Sequence, residues 1–226
     1  MKWLALVVVA VAAAVFAWTA SAPSKGAHRF QLTVEVDTPD GPRSGSSVVE
    51  VERKDGRWPV PGPRHVFRVR GEAVFVDLGP GRNLVAVLAH GESAQDVDQV
   101  ITLWVEAYGH HRWDEDVWSG RRKLRGAVEL RPPLIPTLVT FADPLDPGSV
   151  RLVRPGEFEE AFEPGFRFRR ATLEMVPASV PVTDGVIEQR FPWLAWMKTN
   201  LAGTRGRSTN DLREWLTPRR LRRQDQ

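Results

Sequence analysis

The chain contains no cysteine. That absence excludes a disulfide framework, a cysteine nucleophile, thiolate zinc or iron–sulfur ligation and a lipidated N-terminal cysteine. Tyrosine occurs once and methionine three times, and there are 31 basic residues, of which only Lys2, Lys25, Lys54, Lys123 and Lys198 are lysines. The arginine preference reads as a compositional bias, since charge and pI speak to solubility and non-specific binding. Internal repeats are lacking, as are a Walker-type glycine loop, a G-x-S-x-G elbow and an H-E-x-x-H helix. No cofactor is therefore expected.

What remains is ordinary globular material. The 226 residues are 42% apolar and 26% charged, which excludes disorder throughout and a polytopic membrane protein. The net charge is +3. Its distribution says more, because residues 205–226 hold seven arginines against Asp211, Glu214 and Asp225. The rest of the chain is close to neutral, so no nucleic-acid partner is expected.

One long uncharged run is present, Trp3 to Ala22, 20 residues behind Lys2. A helix of about 20 residues spans the hydrocarbon core of a bilayer. Ala20-Ser21-Ala22 has the small-x-small pattern of a signal cleavage site, but Pro23 follows it, and the run exceeds a signal h-region of about 7–15 residues. Trp3 and Trp18 sit near its ends, where interfacial tryptophan is favoured. The expectation is a single-pass N-terminal transmembrane helix in the inner membrane, with the remainder in the periplasm. The alternative is a cleaved, soluble periplasmic domain. The expected organisation is an anchor over 1–22, a linker over 23–28, one domain over 29–200 and an Arg-rich mobile tail over 201–226.

Within the domain, Phe30, Leu32, Val34 and Val36 alternate with polar residues, the pattern of a strand with one wet face. Thr38-Pro39-Asp40-Gly41-Pro42 is a turn, and 46–53 reads as the returning strand of a hairpin. Residues 66–78 read as one strand with a bend or bulge at Gly71, and 84–89 as a short buried strand. A helix is predicted over 93–108, with Ser93 as cap and Val97, Ile101, Trp104, Val105 and Tyr108 as its apolar stripe. Residues 109–126 read as loop, 138–143 and 150–154 as strands, 157–162 as a helical turn and 166–176 as a long strand. Over 184–198, Pro192 breaks any simple helix. The fold class is α+β, a mostly antiparallel sheet with two or three packed helices.

Candidate chemistry is sparse. His110 and His111 precede Asp114, Glu115 and Asp116, but adjacent histidines do not converge on one metal, and no metal site is expected. Asp143 and Asp146 each precede a proline, as turn residues do. Arg121 and Arg122 lie in a basic cluster suited to anionic head groups or an acidic partner. Trp58, Trp113, Trp118, Trp193, Trp196 and Trp215 fall in irregular regions, where tryptophan is a frequent interface anchor. Trp193 and Trp196 stand beside a proline in a segment too apolar to be free. The candidate binding residues are Trp193, Trp196, Arg121 and Arg122.

Four stretches, FQLTVEVDTPDGPRSGSSVVEV (30–51), GEAVFVDLGPGRNLVAVL (71–88), LVTFADPLDPGSVRLVRPGEF (138–158) and PVTDGVIEQRFPWL (181–194), resemble a family of uncharacterised proteobacterial proteins with an N-terminal hydrophobic segment and one exported domain. The resemblance implies an exported domain and carries no activity, cofactor or catalytic residue. The expected function is a non-catalytic binding or scaffolding domain with an envelope protein partner. An envelope hydrolase is the alternative. It requires at least two of His90, His110, His111, Asp143 and Asp146 to meet in one pocket.

Overall fold

The computed structural model describes residues 26–55, 65–194 and 221–223. The predicted anchor, Trp196 and residues 201–220 lie outside the described residues. Among the described residues, no helix is long and apolar enough to cross a membrane.

The alternation in the first strand folds as the sequence predicts. β1 (Ala27–Thr38) pairs antiparallel with β2 (Gly41–Asp55) around the Pro39-Asp40 turn. Phe30, Leu32, Val34 and Val36 are at most 1% exposed. β3 (His65–Glu72) continues the sheet beyond β2, and β9 (Arg167–Val176) and β6 (Ala127–Glu129) extend it on the other side. β4 (Val74–Gly79), β5 (Arg82–Ala86), β7 (Leu138–Phe141) and β8 (Val150–Leu152) form a second antiparallel sheet in the order β4-β5-β7-β8. Among the described residues the helices are α1 (Gln99–Ala107), α2 (Glu115–Trp118), α3 (Phe158–Ala161) and α4 (Val186–Arg190). The molecule is thus mostly antiparallel sheet with a few short helices, of α+β type.

The small sheet is covered on both faces. Val74, Val76, Leu84 and Ala86 join the apolar side of the large sheet and Val100, Leu103, Trp104 and Val105 of α1 in the main core. Val85, Val139 and Phe141, from its other face, pack with Ile187, Phe191 and Leu194. This double burial is why residues 84–89, which include the end of β5, read as an unbroken apolar run. The two sheets touch where β2 crosses β4. A Cβ on Gly45 would stand 2.0 Å from the carbonyl oxygen of Phe75, so the crossing requires a residue without a side chain.

Four expectations are corrected. Residues 66–78 are two strands in different sheets, not one. Gly71, at φ +135°, lies with its Cα hydrogens against Val48 and Val49, and the chain leaves the large sheet at Ala73. The main helix begins at Gln99 rather than after Ser93. The Asp96 carboxylate accepts the Asp98 and Gln99 N–H groups, and His90 and Asp96 exchange backbone hydrogen bonds that hold the preceding segment off the helix axis. The loop over 109–126 contains α2, capped by Asp114, which accepts the Asp116 and Val117 N–H groups at 3.0 and 3.3 Å. Finally, the tail is not free at 221–223. Leu221 is fully buried, its carbonyl accepts the Ala73 N–H at 2.7 Å, and β10 (Arg222–Arg223) pairs with β3.

Candidate functional site

The register of the large sheet places Arg29, Glu50 and Arg70 side by side across β1, β2 and β3. Arg29 and Glu50 are 5% and 1% exposed. Glu50 accepts from Arg29 Nε at 2.6 Å and from Arg70, while Arg29 Nη1 also donates to the carbonyls of Ala178 and Val180. A carboxylate shared between two guanidinium groups, one of them turned onto backbone carbonyls, has its burial offset by charge-assisted hydrogen bonds. Nearby, Glu72 is fully buried and accepts the N–H groups of Gly185 and Ile187 at 2.7 and 3.0 Å. These buried charges fasten residues 177–187 to the sheet. They are structural, and sequence reading did not single them out.

Beside the same sheet, the lobe built by α1, α2 and their connection carries an aromatic cluster. His28 stacks on Trp104 with ring centroids 4.2 Å apart, and its Nε2 lies 3.0 Å from the Trp118 carbonyl. Burial pushes the His28 imidazole below its ordinary pKa. Trp118 stands edge-on to Trp104, donates its indole N–H to the Arg112 carbonyl, and lies under the Arg53 guanidinium. Phe67 and Trp113 extend the cluster outward, with centroids 5.5 Å apart. Trp113 is 48% exposed.

Phe67 and Trp113 wall a cleft of 390 Å³ whose other lining includes Asp96, Gln99, Thr102 and Arg112. That volume lies within the range of about 300–1,000 Å³ typical of small-ligand sites. Below the cleft, Glu106 accepts from Gln99 Nε2 at 2.9 Å and from Thr102 Oγ1 at 2.7 Å, and Arg112 reaches it at 3.4 Å. A half-exposed indole therefore stands beside a held carboxylate, an amide, a hydroxyl and a guanidinium. Such a surface can stack an apolar ring face while both donating and accepting hydrogen bonds at its rim.

Arg121 and Arg122 belong to the same lobe. Arg121 pairs with Asp116 at 2.7 Å on the surface, and Arg122 lies 3.4 Å from His110 Nδ1. Trp193 is elsewhere. It is half-buried on the far face of the small sheet, 6.0 Å from Phe141 and 5.8 Å from Phe191 by ring centroid, and donates its indole N–H to the Pro144 carbonyl. The loop carboxylates are engaged locally. Asp143 and Asp146 accept N–H groups of their own turn, from Leu145 and Gly148. Glu115 forms a double hydrogen bond with Arg53, which holds its carboxyl below the usual range. Among the described residues, no three His, Asp or Glu side chains are placed to hold a metal ion.

His90 is the unusual histidine. It is 3% exposed, with both ring nitrogens out of contact with water. Burial pushes its pKa down to about 4, against the weaker opposing pull of the Leu134 backbone carbonyl, Asp96 and Glu106. None of His90, His110, His111, Asp143 and Asp146 lines the aromatic cleft.

No protein-family model, curated protein or solved structure matches this chain. The site's own geometry therefore carries the functional reading.

Proposed function

We propose that the protein is an exported, membrane-tethered domain that binds an envelope component without catalysis, and that the Phe67–Trp113 cleft is where it binds. The observation that carries this reading is Trp113, half exposed over a cleft of mixed polar groups. Solvating a bare indole face costs free energy that a stacked partner recovers. The chemistry fits a saccharide: a sugar ring packs its C–H face on indole, and its hydroxyls both donate and accept. Arg121 and Arg122, carried by the same lobe, supply positive charge toward an acidic partner or anionic head groups. Trp193 and Trp196 remain proposed interface residues of a second, apolar contact.

The uncharged run from Trp3 to Ala22 supports a single-pass tether in the inner membrane with the domain in the periplasm. Fractionation of a C-terminally tagged chain, with N-terminal sequencing, tests this. Retention of Met1 and resistance to a salt wash are expected. A soluble form beginning near Pro23 would replace the tether with a cleaved periplasmic module. Binding is tested by co-sedimentation of the full chain with purified peptidoglycan. The wild type is expected in the pellet, and Trp113→Ala is expected in the supernatant. Equal pelleting of both would remove the cleft from the account.

A further inference from the structure

A second cavity, of 620 Å³, opens between the turn joining β4 to β5, the start of β2 and the end of α4. Three guanidinium groups line it, those of Arg43, Arg82 and Arg190, against one carboxylate, Asp77. We propose that this cavity is an anion site for a phosphate-bearing ligand, distinct from the aromatic cleft.

The three arginines arrive from separate parts of the chain, and each is placed by a neighbour. Arg190 ends α4 and lies over the Phe75 ring, 4.9 Å from its centroid. Arg82 opens β5, lies 5.5 Å from the Phe166 centroid, and reaches Glu163 at 2.9 Å. Arg43 is exposed on β2, next to the Gly45 crossing, and forms no ion pair among the described residues. Stacking on aromatic rings fixes the planes of two guanidinium groups and itself uses no N–H donor, although Arg82 spends part of its fork on Glu163. The opposing carboxylate is turned aside, since Asp77 Oδ1 accepts the Gly79 N–H at 3.0 Å within its own turn. The floor is firm, because Pro144 lines the cavity and its carbonyl holds the Trp193 indole at 2.9 Å.

Guanidinium forks match phosphate oxygens in pairs, and with Asp77 committed to its own turn and Glu163 committed to Arg82, it is Arg43 and Arg190 that are left to receive an anion. The ligand is either a free phosphate-bearing molecule or the headgroup of an anionic lipid, and the two share this chemistry.

The test is calorimetric titration of the full chain in a neutral polyoxyethylene detergent. The probes are inorganic pyrophosphate, dihexanoyl phosphatidylglycerol and dihexanoyl phosphatidylcholine. Saturable binding of pyrophosphate or of the phosphatidylglycerol is expected, weakening as salt rises. It should fall at least tenfold in Arg43→Gln/Arg190→Gln and less in Arg43→Lys/Arg190→Lys, which keeps charge but loses the fork. Arg154→Gln, an exposed arginine paired with Glu157 elsewhere, should bind as wild type. Pyrophosphate binding alone points to a free ligand, and phosphatidylglycerol binding without phosphatidylcholine binding points to a lipid headgroup. Absence of saturable binding to all three probes, or an affinity unchanged in the double glutamine variant, would overturn the proposal.

Discussion

The two sheets solve the problem of covering a strand in opposite ways. The small sheet is apolar on both faces and is sealed by packing alone, with the main core on one side and Ile187, Phe191 and Leu194 on the other. The large sheet has one apolar face and one that carries Arg29, Glu50 and Arg70 in a row, and it covers part of that second face by hydrogen bonding. The first device tolerates imprecision and gives no orientation. The second is demanding, since each buried charge must keep its partners, but it fixes where residues 177–187 sit.

The sharpest way to break this comparison is Glu50→Ala. It leaves Arg29 buried without its carboxylate and is expected to cost about 3–5 kcal/mol in denaturant unfolding. Replacing both partners, Arg29→Met with Glu50→Leu, is expected to recover most of that loss. A double variant as unstable as the single would show that the loss comes from the missing hydrogen bonds of the pair and not from an uncompensated Arg29. Gly45→Ala attacks the crossing between the sheets. Its new methyl meets the Phe75 carbonyl, and a loss of about 1–3 kcal/mol or more is expected, larger than for Gly156→Ala, where nothing lies within 4 Å of a Cβ.

Acid probes the small-sheet side through His90. Its pKa is about 4 in the fold, below the ordinary 6.5, so the unfolded chain binds the extra proton. Stability is therefore full above pH 6.5 and falls as pH drops toward 4, by about 2 kcal/mol at pH 5. His28, also lowered by burial, adds in the same direction. The neighbouring Asp96 and Glu106 carboxylates moderate the effect without reversing it. His90→Leu should flatten the pH dependence of the unfolding midpoint between pH 7 and 5, and an unchanged slope would remove His90 as its source. The smallest stability effect belongs to Trp113→Ala, within about 1 kcal/mol because half the ring is already in water, although binding is expected to be lost.

How much of this was legible in the sequence follows from the same contrast. β1 and β2 were readable because one wet face leaves a period of two, and Pro39-Asp40-Gly41 announces the turn. The division between β3 and β4 was not, because Gly71-Glu72-Ala73 gives no local sign that the chain changes sheets. The burial of Glu50 and Glu72 had no local sign in the sequence, since the segment that covers them lies more than 110 positions away. Trp193 was rightly read as too apolar to be free, but its partners Phe141 and Phe191 are set by tertiary packing. Trp113 stood out only as one tryptophan among several in irregular regions. Its pairing with Phe67, and hence the cleft, depends on contact between β3 and the connection after α1.

The central claim, that the Trp113 cleft takes a saccharide, is most directly tested by following tryptophan indole N–H resonances. The full chain in a polyoxyethylene detergent is titrated with soluble peptidoglycan fragments, and Trp113→Phe assigns the signal. The account predicts a saturable shift of the Trp113 indole, with the Trp193 indole, held by the Pro144 carbonyl, left in place. An unmoved Trp113 signal at saturating fragment, or a shift confined to Trp193, would contradict it.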